Sequence, residues 1–135
     1  MKLLIDTNIF LEVILEQEKA KEARTFLSQV EVHEFFISDY SLHSIGLLLF
    51  RRGQHEVFRR LLKDMVLEAG VTVIALAAQE MEDIVQIARR FGLDFDDAYQ
   101  YAVATRYGLT IVSFDSDFDR TELGRKIPKD LLAKP

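Results

Sequence analysis

Apolar positions along the chain fall into two alternating kinds of stretch: short unbroken runs, and longer segments in which they recur every three or four residues. Leu3-Leu4-Ile5 is the first unbroken run, and a strand apolar on successive residues is one covered on both faces, as central strands of parallel sheets are. Asp6 ends it, with Thr7 and Asn8 as candidate caps for a helix starting near Ile9. Phe10, Val13 and Ile14 then recur at helical spacing, and Ala20, Ala23, Leu27 and Val30 do so on a second helix. Phe35-Phe36-Ile37-Ser38 reads as a buried strand, and Leu42, Ile45, Leu48 and Leu49 mark a helix entered through Ser38 or Asp39 and closed at Gly53. A stripe of Phe58, Leu61, Leu62, Met65 and Ala69 runs from about His55 to Gly70, and residues 71–76 form the next strand. Met81, Ile84, Val85, Ala88 and Phe91 make a stripe ending at Arg89, Arg90 and Gly92, the expected stop signal. A last helix begins near Asp96 or Asp97, carries Ala98, Tyr101, Ala102 and Thr105 on one face and stops at Gly108, before a fourth strand at 110–113.

Strands separated by helices of this length imply right-handed crossovers, hence a three-layer α/β/α sandwich with a mainly parallel central sheet. A length of 135 residues with 49% hydrophobic positions suits one domain spanning 1–135 with a real core. The absence of cysteine excludes disulfides, zinc-thiolate sites and cysteine nucleophiles. With no apolar amino-terminal signal segment, a cytoplasmic location is expected, and no apolar stretch approaches the ~20 residues of a membrane span. Lys and Arg total 17 against 22 for Asp and Glu, a net charge of −5, so the chain lacks the broad basic footprint of a sequence-reading DNA binder. An acidic cluster loaded with divalent cations nonetheless presents positive charge to phosphate, so nucleic acid stays within reach.

The acidic residues carry the functional argument. Asp6 leaves the first strand, Asp39 lies just past the second, Asp115 and Asp117 follow the fourth, and Asp96 and Asp97 open a helix packed beside it. In a parallel sheet those strand ends share one rim, where open α/β sheets place their ligands. Two carboxylates about 4 Å apart near a surface repel by on the order of 4 kcal/mol, so several together need raised pKa values or bound cations. Hard oxygen ligands without His or Cys favour Mg²⁺ or Mn²⁺, which activate a water and stabilise the in-line displacement at a phosphodiester.

The same residues resemble a known family. Leu4-Ile5-Asp6-Thr7-Asn8, Ile37-Ser38 leading into an apolar helix, Asp97-Ala98 followed by Ala102 and Ala104, and Ile111-Val112-Ser113-Phe114-Asp115-Ser116-Asp117-Phe118 are similar to the successive signatures of the PIN domain, in order and over nearly the whole chain. The resemblance implies an α/β/α sandwich and Mg²⁺- or Mn²⁺-dependent ribonuclease activity. It also implies, for small VapC-like members, a toxin neutralised by a partner antitoxin and a homodimer. Carried across, Asp6, Asp97 and Asp115 match the catalytic, metal-holding acids, and Asp117 belongs to the following Asp-Phe pair and acts on the metal through water. Thr7 and Ser113 match supporting hydroxyl positions, and Asn8 and Ser38 stand in the same motifs.

One departure is evident. The family usually has a glutamate six residues after the serine that ends the second strand, and this chain has Ser44 there. With one acid fewer, weaker metal affinity and a single firmly held ion are expected. Asp39 from the strand end and His43 from the helix are substitutes to weigh, although an N-cap and a helix-surface residue are the simpler readings of the two. A degenerate, catalytically weak or inactive PIN domain acting as a protein- or RNA-binding module is therefore the competing expectation.

The remaining features read as structural. Arg51-Arg52 and Arg89-Arg90 sit at helix ends where basic residues are favoured, and Arg59-Arg60 reads likewise. Tyr99, Tyr101 and Tyr107 fit core or dimer surface better than base stacking. Asp96 reads as a cap beside a ligand and Asp94 as a turn residue. Phosphoaspartate chemistry of the haloacid dehalogenase type is disfavoured, because it wants a second Asp two residues after the first, where Asn8 stands.

Overall fold

The computed structural model describes residues 1–132. Its amino-terminal apolar run forms β1 (Lys2–Ile5), joined in one sheet by β2 (Glu34–Ser38), β3 (Thr72–Ile74) and β4 (Thr110–Val112). The strand order is β3-β2-β1-β4 and every pairing is parallel. In β1, Leu3 and Ile5 face one core with Phe35, Ile37 and Val112, while Leu4 faces a second core with Ile111 and Phe36. The alternation of side chains along a strand thus feeds two apolar layers from one continuous run.

Three helices cover the first face: α1 (Thr7–Ile14), α2 (Ala20–Leu27) and α3 (Asp39–Arg51), which contribute Ile9, Phe10, Ala23, Phe26, Ile45 and Leu49. Phe58 and Leu61 of α4 (His55–Leu61) pack against the same core, as does Met65 of the π-helical segment Leu62–Glu68 that continues it. The opposite face is covered by α5 (Glu82–Phe91) and α6 (Phe95–Tyr107), with Ile84, Ala98, Tyr101, Ala102 and Val103 inside. The result is the α/β/α sandwich that the pattern predicts. Among the described residues no helix is long and apolar enough to cross a membrane.

Three local expectations are corrected. The first helix starts at Thr7, not near Ile9, because Asp6 is its N-cap, accepting from the Thr7 backbone N–H at 2.9 Å. The last helix is likewise capped two residues earlier than expected, by Asp94 and not Asp96, the Asp94 carboxylate accepting from the Asp97 N–H at 3.1 Å. Finally, the strand expected over 71–76 is only three residues long. Among the described residues it is an edge strand paired to β2 alone, and beyond it the Leu76 N–H turns to the Tyr99 hydroxyl at 3.2 Å instead of a ladder partner.

Because the sheet is parallel, the carboxyl ends of β1, β2 and β4 open on the same rim, which sets Asp6, Ser38 and Ser113 side by side. That rim holds the polar residues discussed next.

Candidate metal centre

The β1–β4 ladder runs one step past the last strand pair, with the Asp6 N–H donating to the Val112 carbonyl at 2.9 Å. This brings the Asp6 side chain, only 7% exposed, beside Ser113. Ser113 Oγ donates to Asp6 Oδ2 at 2.6 Å, and it accepts from Asn8 Nδ2 at 3.1 Å and from the Asp115 N–H at 2.9 Å. Asn8 Oδ1 in turn accepts from the Phe114 N–H at 3.1 Å, so α1 fixes the turn that follows β4. On its other oxygen, Asp6 Oδ1 accepts from Thr7 N–H and from Gln100 Nε2, both at 2.9 Å.

Asp97 projects from the first turn of α6, and Asp115 and Asp117 from the short 3₁₀ turn that opens after β4. One carboxylate oxygen from each of the three lies within 4.8 Å of the others. Burial and crowding together show in the acidity of Asp97. Asp97 is pushed up to about 8, first by burial, then by the charge of Asp115 and a hydrogen bond with it, then by Asp94 and Asp6. Asp6 is also raised, chiefly by burial and further by the charge of Asp115, against the lowering effect of its bonds from Ser113, Gln100 and Thr7. Asp115 caps the turn by accepting from the Asp117 N–H at 2.8 Å. Asp117 is held in addition by Arg120, 3.0 Å away, whose guanidinium also donates to the carbonyls of Phe91 and Gly92.

An all-carboxylate donor set, partly withdrawn from water and repelling itself strongly enough to retain a proton near neutrality, fits a hard divalent cation with oxygen preference. A cation there offsets both the burial and the repulsion that raise Asp97. The residues present therefore fit Mg²⁺ or Mn²⁺.

The other expected residues lie around this cluster in differing relations to it. Thr7 reaches Asp6 through its backbone N–H, while its hydroxyl donates to Ser41 Oγ at 2.8 Å. Ser38 is the N-cap of α3, accepting from the Ser41 N–H at 3.0 Å. Ser44 is half-buried one turn further along α3, against the Tyr40 phenol, which also meets Asp96. Neither proposed substitute for a glutamate at this position joins the cluster. Asp39, the first residue of α3 and not its cap, accepts from the Tyr99 hydroxyl at 2.6 Å and the Tyr40 N–H at 2.8 Å, and His43 lies exposed on α3.

Two residues of the site escaped the sequence reading, Gln100 and Ser41. Gln100 is 1% exposed; its Nε2 donates to Asp6 Oδ1 and, at 2.8 Å, to Ser41 Oγ, while its Oε1 accepts from Ser38 Oγ at 2.6 Å. The available signal was a lone amide set in the otherwise apolar stretch of Ala98, Tyr99, Tyr101, Ala102, Val103 and Ala104, where a buried glutamine must find partners. Of the features set aside as structural, Arg59 pairs with Glu56 and Arg90 with Glu122, Tyr101 is buried, and the Tyr107 hydroxyl donates to the Ala75 carbonyl.

Against known proteins, the family model described as PIN domain matches residues 3–123. A search of curated proteins found no match. Among solved structures, the chain is similar to a toxin-antitoxin complex from Klebsiella pneumoniae, at TM-score 0.69 and 21% identity over 93% of this chain and 97% of that one. It is similar to VapC20 of Mycobacterium tuberculosis, a Sarcin-Ricin loop cleaving toxin, at TM-score 0.68 and 20% identity over 87% and 92%. A third similarity is to VapBC2 from Rickettsia felis bound to a DNA fragment from its promoter, at TM-score 0.71 and 16% identity over 93% and 97%. At these identities the likeness is one of fold.

Proposed function

This chain belongs to the PIN domain family, and from that premise we propose that it is a metal-dependent ribonuclease, hydrolysing RNA phosphodiester bonds as the toxin of a toxin-antitoxin pair. The observation that carries the reading is the meeting of Asp97, Asp115 and Asp117 within 4.8 Å, beside a buried Asp6. Asp6, Asp97 and Asp115 would hold Mg²⁺ or Mn²⁺, with Asp117 acting through water. When bound, the cation supplies an activated water and offsets charge on the phosphodiester during in-line displacement.

The chain's own residues do the rest. Asp97, whose pKa burial and its neighbours raise to about 8, would hold the cation as its deprotonated carboxylate. Ser113, Gln100 and the Thr7 N–H hold Asp6 in place, so its carboxylate does not swing away from the cluster. Asn8 anchors the turn that carries Asp115. Ser44 in place of an acid leaves the site one formal charge short, which favours one firmly held ion over two.

RNA as substrate is supported by the loop-cleaving VapC20 among the structural neighbours, and an antitoxin partner by the Klebsiella complex. A homodimer and a cytoplasmic location belong to the same reading. Ser44 also supports a second one, a catalytically weak or inactive domain that binds RNA or protein. The test is thermal shift with Mn²⁺ together with cleavage of single-stranded RNA, on wild type and Asp6→Asn. Metal stabilisation and cleavage by the wild type, both lost in the variant, are expected. If neither occurs in the wild type, the binding-module reading replaces the nuclease.

A further inference from the structure

We infer that Gln100 is a positioning residue for the metal centre, an uncharged brace that fixes which lone pair of Asp6 remains free for a cation; this rests on the metal-dependent reading above. A carboxylate offers about four acceptor sites. On Asp6, Oδ1 has both of its sites taken, by Thr7 N–H and by Gln100 Nε2 at 2.9 Å each. Oδ2 takes the Ser113 hydroxyl at 2.6 Å, and among the described residues its other site is approached only by Asn8 Nδ2 at 3.5 Å. Gln100 therefore occupies the second acceptor site on Oδ1 and leaves Oδ2 as the Asp6 oxygen with a site to spare, next to the Asp97, Asp115 and Asp117 set of which Asp6 itself is not a member.

The orientation of the amide is set by its neighbours. Its Nε2 faces a carboxylate oxygen, which needs a donor, and its Oε1 faces the Ser38 hydroxyl, which supplies one at 2.6 Å. A flipped amide would set oxygen against oxygen at Asp6 and leave the Ser38 proton the longer contact to Ser41 Oγ at 3.3 Å. Ser41 completes the lock by accepting from both Gln100 Nε2 and the Thr7 hydroxyl, at 2.8 Å each. One side chain of α6 thus joins the ends of β1 and β2 to the start of α3. At 1% exposure it cannot touch RNA, so its effect on the reaction passes wholly through Asp6.

Partners of metal ligands typically change affinity about 10- to 100-fold when removed, whereas a residue that only packs changes stability alone. Mn²⁺ binding followed by electron paramagnetic resonance, on Gln100→Met, Asp6→Asn and the core control Ile45→Val, separates the two. Gln100→Met is expected to weaken Mn²⁺ binding about tenfold or more and to lower kcat with KM for RNA unchanged. Ile45→Val loses stability and keeps wild-type affinity. Should Gln100→Met fail to fold, Ser38→Ala, which releases the amide oxygen, is read in its place and is expected to weaken binding in the same direction. Wild-type affinity in whichever of the two is read overturns the role of Gln100 while leaving the metal reading intact. A wild type that binds no Mn²⁺ overturns both.

Discussion

Ser113 donates its hydroxyl to Asp6 Oδ2 at 2.6 Å across 107 positions of chain, joining the residues that follow β4 and β1. It is the largest of the favourable bonds that oppose the cost of burying Asp6. Replacing Ser113 by Ala strands a buried carboxylate oxygen and also removes the acceptor for the Asp115 N–H. A loss of about 1–3 kcal/mol in urea unfolding is expected, with a further rise in the pKa of Asp6 seen by NMR titration. Full retention of stability would mean that water replaces the hydroxyl at no cost.

Asp97 gives the metal-free protein a distinctive pH dependence. Its pKa in the native state is about 8 against 3.8 for the unburied group, so the folded form binds the proton more tightly than the unfolded form does. The associated stabilisation is complete below pH 3.8 and is lost as pH rises through 8. Asp6, raised in the same direction, adds to it. Glu80 and Asp119 are instead held below the ordinary range by their hydrogen bonds, so their contribution is lost only at acid pH. In EDTA the melting temperature should therefore fall steadily from about pH 5 to about pH 8, and Asp97→Asn should flatten that slope. Saturating Mn²⁺ should reverse it, because the cation binds the deprotonated site.

The alternation of apolar runs and stripes made the sandwich legible, since strands covered on both faces and helices covered on one carry different periods. Residues decided by distant partners were not legible. The third strand looks long from residues 71–76, yet it stops early because a hydroxyl from α6 takes the Leu76 N–H. Among Asp94, Asp96 and Asp97, composition offers three caps, and only the helix start selects Asp94. Gln100 escaped for the same reason, its partners Asp6, Ser38 and Ser41 lying 94, 62 and 59 positions away.

Tyr99 ties the third-strand edge to the opening of α3 without entering the acidic cluster. Its hydroxyl donates to Asp39 Oδ1 at 2.6 Å and accepts from the Leu76 N–H at 3.2 Å, and burial followed by the Asp39 bond pushes its pKa up to about 12. Tyr99→Phe leaves the Leu76 N–H without its acceptor, at an expected cost of about 1–3 kcal/mol by chemical denaturation. Mn²⁺ affinity should not change. An altered affinity would place Tyr99 in the metal network, contrary to its partners.

Ser44 is where charge can be added back. It lies half-buried on α3, against the Tyr40 phenol, on the turn after the Ser41 hydroxyl that braces Gln100. A glutamate at this position has two more rotatable carbons of reach than serine and finds a donor in Tyr40. Its added negative charge raises the repulsion among the acids in the empty site and strengthens attraction for a cation in the loaded one, so the two effects oppose each other in sign. Ser44→Glu is accordingly expected to lower the melting temperature in EDTA and raise it in Mn²⁺, with Mn²⁺ affinity about tenfold tighter, the scale of one additional close carboxylate in a partly screened site. Equal melting curves with and without metal would place the new carboxylate out of reach, and the shortage of charge at this centre would then have to be met from another element.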